Sequence, residues 1–279
     1  MKLEAVDFNA DNAAELFVES LRETGFGVLR NHPIQQKMVD DIYTSWQAFF
    51  DSEEKNNFVY NKGTQDGFFP STVSEVAKGH KKKDIKEYFH YYPWGQCPAH
   101  LKQQLADYYA AAGNLAETLL GWVEQYSPED VSKLYSQTLS SMVENSEQTL
   151  LRVLHYPPLK GDEEPDAIRA AAHEDINLLT ILPAANEPGL QVKGKDGNWI
   201  DVPCDFGNLI VNIGDMLQEA SGGYFPSTTH RVINPQGADQ TKSRISLPLF
   251  LHPNPDVVLS ERHTAKSYLQ ERLRELGVI

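Results

Sequence analysis

The chain has 279 residues and a mass of 31.4 kDa, 41% hydrophobic and 23% charged, an ordinary globular composition with enough apolar material for a sizeable core. Its 25 Lys and Arg against 39 Asp and Glu leave a net charge of −14, which repels phosphate backbones and anionic membrane surfaces and disfavours both as partners. Two cysteines without metal-site spacing, no apolar run of membrane-spanning length and an N-terminus without a secretory signal predict a cytoplasmic protein with free thiols.

Asn12 and Glu15 have the spacing of a capping box, and Leu16, Phe17 and Leu21 give the helix that follows an apolar face to about Thr24. In GFGVLRNHPI, Gly25 to Ile34, the residues Phe26, Val28 and Leu29 predict a short strand that Pro33 ends. Residues 35–50 return to helical spacing, with Met38, Ile42, Trp46 and Phe49 on one side. Residues 51–69 are polar and Gly-containing and read mostly as loop. Lys81, Lys82 and Lys83 read as a solvated charge run. His90, Tyr91 and Tyr92 form an aromatic cluster expected to join the two halves of the chain. Leu101, Leu105, Tyr108, Ala112, Leu115, Leu119 and Trp122 recur at spacings of three and four, so a long helix is predicted over Pro98 to Gln125 with that stripe in the core.

The character changes near residue 148. Strands are predicted at Leu150 to Tyr156, Asn177 to Leu182, Leu190 to Val192, Trp199 to Val202, Leu209 to Ile213, Ser227 to Ile233 and Arg244 to Leu251. Many short strands with turns between them mean a sandwich or a barrel. Arg262 to Leu276 reads as a closing helix with Tyr268, Leu269 and Leu273 inward. The expected organisation is a helical and mixed region, 1–147, packed on a β-core, 148–279, as one unit.

Three polar residues of the β-half need a reason. His173 and Asp175 are two apart, so an extended backbone turns both side chains to one side, with Glu174 pointing away. His230 lies on a later strand. Two imidazoles and a carboxylate on one face can hold non-haem Fe(II) and leave coordination positions open for a co-substrate and O2. The pair alone is a weak signal. Arg244 and Ser246, again two apart, strengthen it. An Arg facing a barrel interior is costly unless paired, and the fork of a ligand carboxylate would pair it.

The stretches HEDINLLTILPAANEPGLQVKGKDGNWIDVP, GNLIVNIGDMLQEASGGYFPSTTHRVINP and RISLPLFLHPNPDVV resemble an iron- and 2-oxoglutarate-dependent oxygenase of the isopenicillin N synthase-like group. GFGVLRNHPI and FFDSEEK resemble the group's N-terminal region, and RVLHYPP the segment before its iron site. The likeness covers nearly the whole chain. It implies a mainly β fold with flanking helices, built on a double-stranded β-helix or jelly roll. It implies His173, Asp175 and His230 as Fe(II) ligands, and Arg244 and Ser246 on the distal carboxylate of 2-oxoglutarate, with the Tyr156 hydroxyl on the same group. The implied reaction oxidises a C–H bond of a small molecule by hydroxylation, desaturation or ring closure, with O2 consumed, succinate and CO2 released, and ascorbate sustaining activity.

Phe250, six after Arg244, is a candidate substrate contact, as are Phe68 and Phe69 in a lid or wall, with core packing the alternative for all three. His32 and His252 have no partner at ligand spacing and read as structural. Asn212 and Asp215 fit a turn at a strand end, with Asp215 satisfying backbone amides, and Cys204 has no assigned role. Two departures from the group stand out: His155 where relatives often carry Asn or Tyr, and a long stretch, Met216 to Thr229, before His230. Three rivals stay open at this point. They are a same-fold oxidase without 2-oxoglutarate, a non-catalytic ligand-binding jelly roll, and a zinc hydrolase, which would lack an H-E-x-x-H base.

Overall fold

Short apolar strands separated by Gly, Pro and Asn gain stability only by pairing and stacking. In the computed structural model, which describes residues 3–73, 84–161, 163, 167–185, 187–203, 205 and 207–275, they do so in two facing sheets. The elements run β1 (Ala5–Asp7), α1 (Ala13–Thr24), β2 (Phe26–Arg30), α2 (Gln36–Asp51), β3 (Gly67–Phe69), β4 (Glu87–Tyr91) and α3 (Ala99–Gln125). They continue with α4 (Glu129–Ser132), α5 (Leu139–Val143), β5 (Leu150–Tyr156), β6 (Ala170–His173), β7 (Leu179–Pro183), β8 (Leu190–Lys193) and β9 (Trp199–Asp201). The last are β10 (Leu209–Ile213), α6 (Asp215–Ala220), β11 (His230–Val232), β12 (Arg244–Ser246), β13 (Leu249–Leu251) and α7 (Ala265–Glu275).

The larger sheet has the order β1-β2-β10-β7-β13-β5-β4-β3, with β12 also on β5; the smaller is β6-β11-β8-β9. Only β1 with β2 is parallel among the described pairs. The pleat sends successive side chains to opposite faces and so sorts the chain into two layers. Outward, Leu151, Val153, Ile181 and Val211 meet the helices, including the α3 stripe Leu105, Tyr108, Ala112 and Leu119. Inward, Phe26, Leu154, Tyr156, Leu182 and Ile210 face Ala170, Leu190, Val192 and Val232 of the smaller sheet. This sandwich is the expected jelly-roll arrangement, mainly β with helices on one flank. Each leucine or phenylalanine so buried contributes about 1.5–3 kcal/mol.

Several elements differ from expectation. Asn12 does not cap α1: its backbone (φ −105°, ψ 17°) is not extended, and no side-chain hydrogen bond forms. Residues 51–69 are not mostly loop; a 3-10 helix occupies Glu53–Phe58, and β3 forms the sheet edge against β4. The predicted strand from Arg244 to Leu251 is two strands, because Pro248 interrupts it; β12 pairs with β5 and β13 with both β5 and β7. Asp215 is not in a turn but opens α6. β1, β3, β4 and β6 were not expected; each has only three to five residues. The long helix α3 begins one residue after its predicted start and ends where expected, and α7 begins three residues after its own. The Lys81–Lys83 run, Cys204 and Leu276 lie outside the described residues. No helix among the described residues is long and apolar enough to cross a membrane.

Candidate active site

The inner layer holds the polar residues of interest at one cavity. β6 and β11 pair so that His173 and His230 sit directly opposite one another, with ring centroids 4.4 Å apart. Asp175 lies two residues past the end of β6. There the α6 N-terminus holds its backbone, the Asp215 amide donating to the Asp175 carbonyl at 2.7 Å. The Asp175 Oδ1 atom is 3.9 Å from His173 Nε2 and 3.8 Å from His230 Nε2. One donor atom from each of the three residues falls within 4.8 Å of the others.

Hydrogen bonds fix which atoms are on offer. His173 Nδ1 faces the Ala171 carbonyl at 2.7 Å, and His230 Nδ1 faces the Thr228 carbonyl at 3.2 Å. A carbonyl only accepts, so both Nδ1 atoms carry the proton and both Nε2 lone pairs turn toward Asp175. Burial, helped by the neighbouring His230, pushes the His173 imidazole down to about 4, so it is neutral at pH 7, as a metal ligand must be. Asp175 Oδ2 is occupied by the Thr180 hydroxyl at 2.5 Å and the Asn212 amide at 2.7 Å, leaving Oδ1 for the imidazoles. Burial raises its pKa, but the two rings and these hydrogen bonds outweigh that and hold the carboxyl below its ordinary value. Two imidazoles and a carboxylate converging from one side suit a divalent cation with open positions; a closed structural site would surround it.

Arg244 and Ser246 point into the same cavity from β12, both buried. Arg244 Nε donates to the Glu187 carbonyl at 3.0 Å, while its Nη1 is buried and has no hydrogen-bond partner among the described residues. An orphaned guanidinium nitrogen here suits a carboxylate ligand. The register places Tyr156 opposite Arg244, with the guanidinium 5.2 Å above its ring. Phe250 lines the cavity from β13, although the chain between it and Arg244 is not a regular strand. Phe68 and Phe69 are not among the residues that line the cavity, and both take the core-packing alternative. Phe68 packs outward near Phe50, and Phe69 stacks between Tyr60 and Tyr88 at the sheet edge.

Asn212 was expected in a turn but lies inside β10, on its inward face, and holds Asp175. Thr180 on β7 went unnoticed in the sequence, as did Arg169, which is 1% exposed and lies 5.9 Å from the Tyr156 ring. Only their shared parity with Leu182 and Ile210 could have suggested the first two. His32 is structural as expected, its Nε2 2.9 Å from the Gly207 carbonyl. His155 turns outward to Glu87 at 2.8 Å and stacks on Phe50, so its departure from the group leaves the cavity intact.

Comparison with known proteins gives the family. The sequence pattern of the 2OG-Fe(II) oxygenase superfamily matches residues 147–253, and that of the non-haem dioxygenase N-terminal region (named for morphine synthesis) matches residues 3–108. A crystal structure from Shewanella oneidensis, provisionally described as an oxygenase, is 65% identical over 100% of both chains, with a TM-score of 0.92. A Caulobacter crescentus protein, provisionally assigned to the 2OG-Fe(II) oxygenase family, is 30% identical over 98% of this chain and 99% of its own, with a TM-score of 0.83. A rice (Oryza sativa subsp. japonica) protein named 2-oxoglutarate-dependent dioxygenase 11 is 29% identical over 85% of this chain, which spans 65% of that protein's length. The chain therefore belongs to the 2OG-Fe(II) oxygenase superfamily, the non-haem iron oxidoreductases that take 2-oxoglutarate as co-substrate.

Proposed function

We propose that the protein oxidises a C–H bond of a small molecule, by hydroxylation, desaturation or ring closure. The reading rests on one observation: His173, His230, Asp175 and Arg244 line a single cavity, and the first three each bring a donor atom within 4.8 Å of the others. In this reading His173, Asp175 and His230 hold Fe(II). Arg244, with Ser246 and Tyr156 beside it, holds the distal carboxylate of 2-oxoglutarate. Bound iron and 2-oxoglutarate supply the oxidising power from O2, with release of succinate and CO2.

The rest is the work of this chain's residues. Thr180 and Asn212 keep Asp175 turned to the cation site. The Ala171 and Thr228 carbonyls keep both imidazoles in the ligating tautomer. Leu182, Leu190 and Val232 keep water from the 2-oxoglutarate side, and Phe250 gives the substrate an apolar wall. We place the protein in the cytoplasm, acting on a small molecule and not on nucleic acid or membrane. The net charge of −14 and the free Cys97, whose thiol burial pushes up to about 12, support that reading.

The test is succinate release from protein reconstituted with Fe(II), 2-oxoglutarate, O2 and ascorbate. Wild type is expected to form succinate, and His173→Ala or Asp175→Ala to reduce it to background while remaining folded by circular dichroism. Succinate formation independent of both residues contradicts the assignment.

A further inference from the structure

Arg169 stands just before β6, outside every motif that marked the site. It is 1% exposed, although a guanidinium stays charged at any ordinary pH and is costly to bury. Its backbone is fixed: the Arg169 amide donates to Asn234 Oδ1 at 3.0 Å, and Asn234 Nδ2 donates to the Ala167 carbonyl at 2.7 Å. Of its side chain, Nη2 donates to the Lys242 carbonyl at 2.8 Å, and Nε is buried with no hydrogen-bond partner among the described residues.

The side chain is aimed at the end of the cavity that carries Arg244. The Arg169 guanidinium carbon is 5.9 Å from the centre of the Tyr156 ring, and that of Arg244 is 5.2 Å from the same ring. Ala170, next in the chain, lines the cavity with Tyr156 and Arg244, while Arg169 is not among the lining residues. It stands one layer behind them. Two other cations of the cavity wall are engaged elsewhere, Lys86 with Asp84 at 2.8 Å and Arg152 Nε with His90 at 2.9 Å.

Two guanidinium groups against one phenol ring repel each other. Burial and the Arg244 charge both pull Arg169 below its ordinary pKa; Glu187, which is also 3.5 Å from Lys242, and Tyr156 act the other way without reversing the direction. An anion arriving at Arg244 relieves this repulsion and is attracted by both charges, in a place where little water screens them. A cation against a phenol ring also strengthens the hydroxyl as a hydrogen-bond donor.

We infer that Arg169 is a positioning residue for 2-oxoglutarate: without lining the cavity, it strengthens the hold of Arg244 and Tyr156 on the distal carboxylate. This rests on the oxygenase reading above and adds to it a source of selectivity for a dicarboxylate co-substrate.

A matched pair of keto acids isolates that carboxylate. 2-Oxopentanoate has the chain of 2-oxoglutarate with a methyl group in place of the distal carboxylate, and it keeps the keto-acid end. Anaerobic calorimetry on Fe(II)-loaded protein measures the affinity of both, the weaker one by competition, in wild type, Arg169→Met and Arg169→Lys. Fe(II) titration and melting curves accompany each variant. Arg169→Met is expected to weaken 2-oxoglutarate on the order of 10-fold, with 2-oxopentanoate and Fe(II) changed by less than about 2-fold. Arg169→Lys keeps the charge and should stay within about 3-fold of wild type. Arg169→Gln takes the place of Arg169→Met if the latter does not fold. The inference is overturned if removing the charge leaves 2-oxoglutarate binding unchanged, or if Arg169→Lys loses as much as Arg169→Met. It is overturned equally if both keto acids weaken alike, which is what a merely structural role would give. Wild type separates the two levels. If it binds 2-oxoglutarate and the variants fail these expectations, only the role of Arg169 is wrong; if Fe(II)-loaded wild type binds no 2-oxoglutarate, the oxygenase reading has failed and the inference with it.

Discussion

Asp175 has one oxygen committed to the protein and one turned to the imidazoles. A carboxylate held this way loses little freedom when a cation arrives, so its two supports should matter nearly as much as the ligands. Asn212→Leu keeps the approximate volume and removes one support. We expect Fe(II) affinity, measured by anaerobic titration, to fall on the order of 10- to 100-fold with the fold intact. Two-residue spacing marked His173 with Asp175 and Arg244 with Ser246 in the sequence, the resemblance added His230, and the structure brings all five to one cavity. Asn212 and Thr180 were not legible, because an amide and a hydroxyl in apolar strands carry no signal until the register shows which carboxylate they face. Phe68 and Phe69 show why core packing and a cavity wall are hard to separate in sequence: adjacent strand residues point to opposite faces, and here one joins the outer core and the other the inner.

Elements were legible in proportion to the length of their pattern. The 27-residue α3 repeats its stripe over about six turns and was found nearly to the residue. The sequence AAAH of β6 has no alternation to read, although it carries His173. The stretch before His230 shows how the elements fix a ligand. Gly25 ends α1 with φ 74°, and a Cβ there would stand 2.2 Å from Thr228 Oγ1 and 2.6 Å from the Pro226 carbonyl. Only glycine allows both the left-handed turn and this approach. Gly25→Ala is expected to destabilise the protein by about 1–3 kcal/mol in urea unfolding. It should weaken Fe(II) binding as well, since the Thr228 carbonyl that orients His230 moves with its neighbour.

At the scale of the molecule, a net charge of −14 does not say where individual charges sit. Lys86, Arg152 and Arg244 came together only through pairing of β4, β5 and β12, which no composition reports. Acid stability follows from another buried group. Burial pushes His252 down to about 4, and its Nδ1 has no partner among the described residues, so the ring stays neutral in the fold. The unfolded chain takes up a proton there below about 6.5, so between pH 6.5 and 4 the unfolded state binds more protons and stability falls as the pH falls. The loss is at most about 3 kcal/mol. Urea midpoints of the metal-free protein should decline through that window, less steeply in His252→Phe. The central claim is that one cation site and one guanidinium together hold 2-oxoglutarate. Anaerobic calorimetry of 2-oxoglutarate binding tests it most directly. We predict one-to-one binding that needs Fe(II) and weakens on the order of 10- to 100-fold in Arg244→Lys, which keeps the charge and loses the fork. Binding that is indifferent to iron, or unchanged by that substitution, would contradict the account.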